Sequence, residues 1–128
     1  MNSDLIKVFV YGTLMTGERN HHVIRNFVEN VNEGSVQARL VNAGAFPAVL
    51  LSENDQSVVR GQWITIRSEG LKATDRLEGY EGPNKQNFYD RVWISDISNE
   101  HQGWIYIWKH DHGLPEIVGG SWKDREIA

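Results

Sequence analysis

The chain has 128 residues, with 13 Lys and Arg against 17 Asp and Glu, and carries a formal charge of −4. Its length predicts one domain over residues 1–128. The acidic balance, without runs of basic residues, argues against nucleic acid or a membrane surface as partner. The chain has no cysteine, which excludes disulfides, cysteine nucleophiles and thiolate zinc sites and is typical of a cytoplasmic protein.

An apolar run rich in β-branched and aromatic residues lies near the start of the chain. Leu5 to Tyr11 is predicted to be a strand buried on both faces, and Gly12 marks the point where the chain leaves the sheet. A glycine there lets backbone N–H groups approach a ligand, with the Thr13 hydroxyl beside them. The same residues also fit a first strand that simply ends in a turn.

The next segment has apolar residues at helical spacing. The pattern predicts a helix from His21 to about Val31, with Asn20 as its N-cap and Gly34 after its end. The residues of its apolar face are Val23, Ile24, Phe27, Val28 and Val31.

The middle of the chain has the texture of strands. Residues 36–41 alternate, and a short apolar run follows at 45–51, in which Pro47 removes a ladder donor and favours an edge, a bulge or a bend. Residues 58–67 predict a long strand, and its internal Gly61 indicates a bulge or a barrel corner.

A second helix is predicted from Ser68, a possible N-cap, to Tyr80, with Gly79 ending it. Two further strands are predicted at Phe88–Ile94 and Gly103–Trp108. Strands therefore outnumber helices, and their order departs from the alternation of a doubly wound sheet. We expect an α+β fold, a small mixed-sheet β-barrel flanked by helices.

Glu78 stands out through its predicted place in the last turn of the second helix. The negative end of the helix dipole disfavours its charged form, and burial in an aromatic-lined cavity shifts the pKa the same way. Such a carboxylate exchanges protons near neutral pH. The alternative is that Glu78 is one of many acids on a solvated face.

Other chemistries find little support in the sequence. The pairs His21-His22 and His110-Asp111-His112 lack companions at metal-ligand spacing, so no metal is expected. No serine lies in a Gly-x-Ser-x-Gly context, and the glycines form no phosphate-loop or dinucleotide pattern.

Short motifs in a particular order span nearly the whole chain. They are Tyr11-Gly12-Thr13-Leu14, Phe46-Pro47-Ala48-Val49, Val59-Arg60-Gly61-Gln62-Trp63, Asp75-Arg76-Leu77-Glu78-Gly79, Tyr89-Asp90-Arg91, Trp104-Ile105-Tyr106-Ile107 and Gly120-Ser121-Trp122. Together they resemble the gamma-glutamylcyclotransferase superfamily, in its small AIG2-like branch, which includes gamma-glutamylamine cyclotransferases and the bacterial YtfP and BtrG types. The resemblance implies a compact mixed β-barrel flanked by helices and an enzyme without metal or cofactor.

The implied reaction cyclises a γ-glutamyl group to 5-oxoproline through attack by its own α-amine and releases an amine or amino acid. Glu78 matches the general acid/base of the family. The backbone N–H groups of residues 12–14 match the loop that holds the glutamyl end, where they face either its α-carboxylate or the developing oxyanion. Tyr11 and Tyr89 are candidate hydroxyl donors to the same group, with Tyr89 preferred. Arg91 is expected to pair with a carboxylate near the cavity.

Two departures from the family pattern leave the released amine open. Gln62-Trp63 stands where many members have Glu and a different aromatic residue, and the loop from Glu81 to Asn87 is particular to this chain. That loop is expected to contact the leaving amine. Glutathione is disfavoured as a substrate, because the glutathione-specific relatives are usually longer.

Two other functions remain open at this stage. One is a non-catalytic binding module of the same fold that recognises a small amino-acid-like ligand. The other is a related enzyme that removes a γ-glutamyl protecting group from a biosynthetic intermediate with the same residues. The oligomeric state is not predicted.

Overall fold

The structure, a computed structural model, describes residues 4–51 and 56–125. These contain seven strands, one α-helix and three short 3₁₀ helices. The strands are β1 Leu5–Val10, β2 Val28–Gln37, β3 Arg39–Asn42, β4 Pro47–Leu50, β5 Val58–Arg67, β6 Asp90–Ser95 and β7 Gln102–Ile107. The α-helix is α1, Gly70–Glu78, and the 3₁₀ helices are His21–Val23, Arg25–Phe27 and Trp122–Asp124.

Five strands form a mixed sheet in the order β2-β5-β1-β7-β6, and β3 pairs with β4 in a separate two-stranded sheet. Strand β1 lies at the centre, antiparallel to β5 and parallel to β7. The mixed α+β class expected from the sequence is confirmed. Within the described residues, no helix combines the length and the apolar character that crossing a membrane requires.

The helix predicted from His21 to Val31 is wrong. The chain makes two 3₁₀ turns and then enters β2 at Val28. Strand β2 pairs with β5 from Val28 opposite Ile66 to Gln37 opposite Val58. Val28 and Val31 suit a strand as well as a helix face, since β-branched side chains pack well on a pleated surface. Pairing with β5 favours the strand. A helix here would also have to form a first turn, which fixes several residues for a single hydrogen bond.

The glycines that were expected to end a helix or to mark a bulge lie inside these two strands. Gly34 is opposite Gly61 in the β2–β5 ladder, and the register shift lies elsewhere, between Val28 and Asn30. A Cβ atom at Gly34 would collide with the Trp63 indole, and one at Gly61 with the main-chain oxygen of Val10. Both glycines therefore serve close packing instead of a turn.

Helix α1 is shorter than predicted but ends where the sequence indicates. Glu69, not Ser68, occupies the N-cap position, and its side chain makes no capping hydrogen bond. Gly79 follows with φ 70°, and its N–H reaches the carbonyls of Asp75 and Arg76. This left-handed glycine, which avoids the Cβ strain of other residues, fixes Glu78 as the last helical residue.

The core lies between the five-stranded sheet and the elements around it. Phe9 and Trp63 are fully buried and meet edge to face, with ring centroids 5.1 Å apart. The Trp63 indole N–H donates to Asp96 at 2.9 Å, and the Ser35 N–H donates to the same oxygen at 2.8 Å. Burial opposes the charge of Asp96, but hydrogen bonds from Ser98, Trp63 and Ser35 outweigh it and lower the pKa to about 2.

Candidate active site

A cavity of about 180 Å³ lies where β1 ends. It is bounded by the loop after β1, Phe46 and Pro47 at the start of β4, the end of α1 and the segment before β6. The residues that line it are Phe9, Val10, Tyr11, Gly12, Thr13, Leu14, Arg19, Asn20, Phe46, Pro47, Leu77, Glu78, Phe88, Tyr89 and Tyr106. The candidate catalytic and glutamyl-binding residues from the sequence, Glu78, Tyr89 and residues 11–14, are among them, whereas the loop of residues 81–87 is not.

The loop after β1 is held close to Pro47 by the absence of a side chain at Gly12. A Cβ atom there would lie 2.6 Å from Pro47 Cγ and 2.7 Å from Pro47 Cδ. Asn20 fixes the far side of the loop, since its main-chain N–H donates to the Thr13 carbonyl and its side-chain amide to the Thr13 hydroxyl, both at 2.9 Å. These contacts brace the loop in the absence of a ligand.

This bracing leaves main-chain donors available at the cavity. Within residues 4–51 and 56–125, the N–H groups of Gly12, Thr13 and Leu14 donate to no protein acceptor. Buried or partly buried N–H groups normally find a partner, so three neighbouring free donors suit the binding of an anion or an oxyanion, which would accept their hydrogen bonds.

Glu78 enters the cavity from the end of α1. Burial raises the pKa of its carboxyl from 4.5 to about 7, because an ionised carboxylate loses solvation there. Both protonation states are therefore well populated near neutral pH. A carboxyl of this kind can accept a proton in one step and return it in the next.

The two tyrosines use their hydroxyl protons differently from the expectation that they donate to a substrate. Tyr11 donates to the Tyr106 carbonyl at 2.7 Å, and Tyr89 donates to the Pro47 carbonyl at 2.6 Å. Buried hydroxyls need a partner, and these main-chain oxygens supply it. Burial, with the nearby Glu78 charge, raises the pKa of both phenols, so both stay protonated.

Sequence reasoning missed a polar network behind Glu78. The Tyr106 hydroxyl donates to Asp75 at 2.6 Å and lies 2.7 Å from the Thr74 hydroxyl. Arg91 forms an ion pair with the other Asp75 oxygen, which confirms the expected carboxylate partner of this arginine. The spacing of Asp75 and Glu78 on one helix face was the available signal.

The network is clamped by aromatic rings. The Arg91 guanidinium carbon lies 4.6 Å from the Trp104 ring centroid and 4.7 Å from that of Tyr80. Rings on these positions favour the cation and limit its movement. Arg91 therefore keeps its ion pair with Asp75, and the Asp75 carboxylate accepts the hydrogen bond from the Tyr106 hydroxyl.

Aromatic side chains from distant parts of the sequence form another wall of the cavity. Phe46 meets Phe88 and Tyr89 with ring centroids 5.7 and 6.3 Å apart. No local pattern could have brought these segments together. The polar side chains around the cavity are hydroxyls, the Arg19 guanidinium, the Asn20 amide and the Glu78 carboxyl. The described residues contain no group of three or more side chains suited to a metal ion.

A family model described as gamma-glutamyl cyclotransferase, AIG2-like, matches residues 8–124. The chain belongs to this family. Membership confirms the resemblance drawn from the motifs and the class of enzyme that it implied. Gamma-L-glutamyl-butirosin B gamma-glutamyl cyclotransferase from Niallia circulans is 34% identical over 124 residues, which cover 94% of this chain and 77% of that protein.

Solved structures share the fold. YkqA from Bacillus subtilis, whose curated sequence carries the name putative gamma-glutamylcyclotransferase, superposes with a TM-score of 0.74 at 21% identity over 94% of this chain and 40% of its own. An AIG2-like protein from Mus musculus gives a TM-score of 0.67 at 21% identity, covering 87% of this chain and 84% of its own. This chain thus spans less than half of YkqA and most of the mouse protein.

Proposed function

We propose that this protein cyclises the γ-glutamyl group of a small molecule to 5-oxoproline and releases the amine to which that group was attached. The observation that carries the proposal is the pairing of Glu78 with the braced loop of residues 12–14 in one small cavity. The raised pKa of Glu78 and the unpaired N–H groups of the loop are the two features that the reaction requires.

In the proposed reaction, the substrate's α-amine attacks its own γ-carbonyl carbon. A new C–N bond forms, the amine gives a proton to the Glu78 carboxylate, and the carbonyl oxygen takes the negative charge. The carbonyl then re-forms as the bond to the leaving nitrogen breaks, and Glu78 returns the proton to that nitrogen. Because both reacting groups belong to one molecule, holding it folded supplies much of the rate.

The loop of residues 12–14 is proposed to hold the glutamyl half. Its free N–H groups suit either the α-carboxylate or the oxyanion, since both are oxygen acceptors with negative charge. Tyr11 and Tyr89, which also line the cavity, are proposed as substrate-binding residues. Their hydroxyl protons are engaged, so we assign them the role of offering oxygen acceptors to the N–H groups of the substrate's α-amine.

A non-catalytic binding module of the same fold is the alternative. A module that only binds has no need for a partly buried acid whose pKa lies near neutrality, so Glu78 weighs against this alternative. A relative that acts on a γ-glutamylated butirosin lends support to a third function, removal of a γ-glutamyl protecting group, which uses the same residues with a different leaving amine.

We further propose that residues 1–128 form one domain in which the two sheets close into a small barrel. Support comes from hydrogen bonds beyond the strand ladders: Ile97 N–H to the Ser35 carbonyl and Trp108 N–H to the Val49 carbonyl, both at 2.9 Å. We also propose that the protein is cytoplasmic, which the absence of cysteine supports. We propose that it acts on a small molecule without a metal or a cofactor, and the acidic balance supports the proposal that neither nucleic acid nor a membrane is its partner.

The decisive experiment measures release of 5-oxoproline from γ-glutamyl amino acids, γ-glutamyl-ε-lysine, γ-glutamylamines and glutathione. Wild type and Glu78→Gln are compared on each substrate. Release that depends on Glu78 supports the proposed function. Stabilisation of the folded protein by these compounds, without product from the wild type, favours the binding module.

A further inference from the structure

The cavity has room for a glutamyl group but not for a whole γ-glutamyl compound of ordinary size. Its volume is about 180 Å³, whereas pockets that enclose a drug-sized ligand measure roughly 300–1,000 Å³. If the proposed function is correct, the leaving half of the substrate must therefore extend beyond the cavity. The direction in which it extends decides which amine is released.

An aromatic cluster of Phe46, Phe88 and Trp108 connects the cavity with a second groove. The ring centroids are 5.7 Å apart for Phe46 and Phe88, 5.6 Å for Phe88 and Trp108, and 6.0 Å for Phe46 and Trp108. Phe88 lines both the cavity and the groove, and 58% of its surface is exposed. An exposed ring at this junction offers an apolar surface to a bound molecule.

The groove beyond the cluster carries a positive charge balance. It measures about 610 Å³ and includes Lys85 and Lys109 with one acid, Asp90. Asp90 is already engaged, because it lies 3.9 Å from Lys109 Nζ and accepts a hydrogen bond from Asn87 at 3.2 Å. Among the described residues, Lys85 has no carboxylate partner. Arg19 adds a further cation at the cavity itself.

We propose that this groove binds the leaving half of the substrate, and that the leaving half is an amino acid or short peptide with an apolar side chain and a free carboxylate. The aromatic cluster would contact the side chain, and Lys85 would attract the carboxylate. A polycationic amine is disfavoured, since it would lie against Lys85, Lys109 and Arg19. This inference rests on the proposed function and specifies its substrate class.

A matched pair of substrates tests the charge preference. γ-Glutamylphenylalanine and γ-glutamylphenethylamine share the ring and differ in the carboxylate alone. We expect kcat/KM for 5-oxoproline release to be about fivefold higher for the first, the size that an exposed charge contact gives, and the ratio to shrink at high salt. γ-Glutamylputrescine, whose leaving half is cationic, should be the poorest of the three.

Three variants assign the preference to the groove. Lys85→Glu should lower the ratio of the matched pair about threefold, through KM more than kcat, and Lys85→Arg should preserve it. Lys123→Glu makes the same charge change at an exposed residue that does not line the groove, and it should leave the ratio unchanged. Comparing Lys85→Glu with Lys123→Glu therefore separates the effect of the groove from the effect of net charge.

The outcomes separate this inference from the proposed function. A ratio of one or below, or a ratio that Lys85→Glu and Lys123→Glu alter equally, overturns the groove assignment while cyclisation stands. Absence of 5-oxoproline from every substrate overturns the proposed function. Calorimetric binding of the matched pair to Glu78→Gln then still measures the groove's preference, because it needs no turnover.

Discussion

The Tyr106 hydroxyl donates to the Asp75 carboxylate at 2.6 Å, one helical turn before Glu78 on α1. Asp75 is itself held by Arg91, and the main-chain oxygen of Tyr106 accepts a hydrogen bond from the Tyr11 hydroxyl. The helix end that carries Glu78 is therefore tied to β7, whose Tyr106 also lines the cavity. Asp75 acts through its neighbours and is a positioning residue.

Replacing Asp75 by Asn should remove the charge that holds Arg91 and weaken the grip on Tyr106. The side chains of Asp75 and Arg91 are only 22% and 15% exposed, so breaking the pair should cost about 3 kcal/mol of unfolding free energy. We expect kcat to fall about tenfold with little change in KM, as binding energy is retained while Glu78 is misplaced. Chemical denaturation and steady-state kinetics measure the two effects.

Glu29→Gln provides the control for that variant. Glu29 pairs with Arg67 at 3.0 Å, but both side chains are more than a third exposed. Loss of this ion pair should lower the unfolding free energy by at most about 1 kcal/mol and leave kcat unchanged. Equal effects of the two substitutions on kcat would show that the Asp75 pair has no particular role in positioning Glu78.

Glu78→Gln should lower kcat about 10³-fold, the size expected for loss of a general acid/base, while the variant stays folded. In the wild type, kcat/KM should rise with pH through an apparent pKa of about 7, because the free enzyme must present the carboxylate that accepts the proton. A pH–rate profile from pH 5 to pH 9 measures this limb. Full activity of the variant contradicts the catalytic assignment.

The same carboxyl should make stability depend on pH. Its folded-state pKa is raised from 4.5 to about 7, so the native state binds the proton more tightly than the unfolded state between these values. The contribution of Glu78 is therefore fully favourable below pH 4.5 and is lost as the pH rises towards 7, by about 3 kcal/mol at most.

Urea denaturation of wild type and Glu78→Gln across this range measures the contribution. The difference in unfolding free energy between the two proteins should move in favour of the variant as the pH rises, since glutamine does not ionise. A difference that stays constant with pH would mean that the pKa of Glu78 is the same in the folded and unfolded states.

Gly12→Ala should damage the loop of residues 12–14. The new methyl group would lie 2.6 Å from Pro47 Cγ, so either the loop or the proline must shift. Overpacking of this kind costs about 1–3 kcal/mol. We expect KM to rise and kcat to fall, because displaced N–H groups no longer meet the glutamyl oxygens.

Gly17→Ala is the companion variant in the same loop. An added methyl group at Gly17 would meet no atom within 4 Å, but its φ of +86° strains any other residue. That strain should cost about 1 kcal/mol of stability without a change in KM. Similar kinetic losses in both variants would indicate that loop stability, and not the position of the Gly12 backbone, controls activity.

The contrast between residues 21–31 and 68–79 explains which local patterns were sufficient. Gly79 has a positive φ and ends α1 through local backbone geometry. The sequence therefore predicted that Glu78, the candidate acid, lies at the end of this helix. The apolar spacing after Asn20 fits a helix, yet its β-branched residues also fit a strand. Only the partner strand β5 decides between them.

The sequence by itself determined the first strand, the glycine after it, the glutamate at a helix end and the family to which these motifs belong. The tertiary structure alone decided that Phe46 and Phe88 meet across the cavity, that the tyrosine hydroxyls donate to main-chain oxygens, and that Glu78 has a pKa of about 7. The reason is physical: a motif or a turn glycine acts through neighbouring residues, whereas strand pairing, burial, solvation and hydrogen-bond partners depend on segments that are distant in the chain.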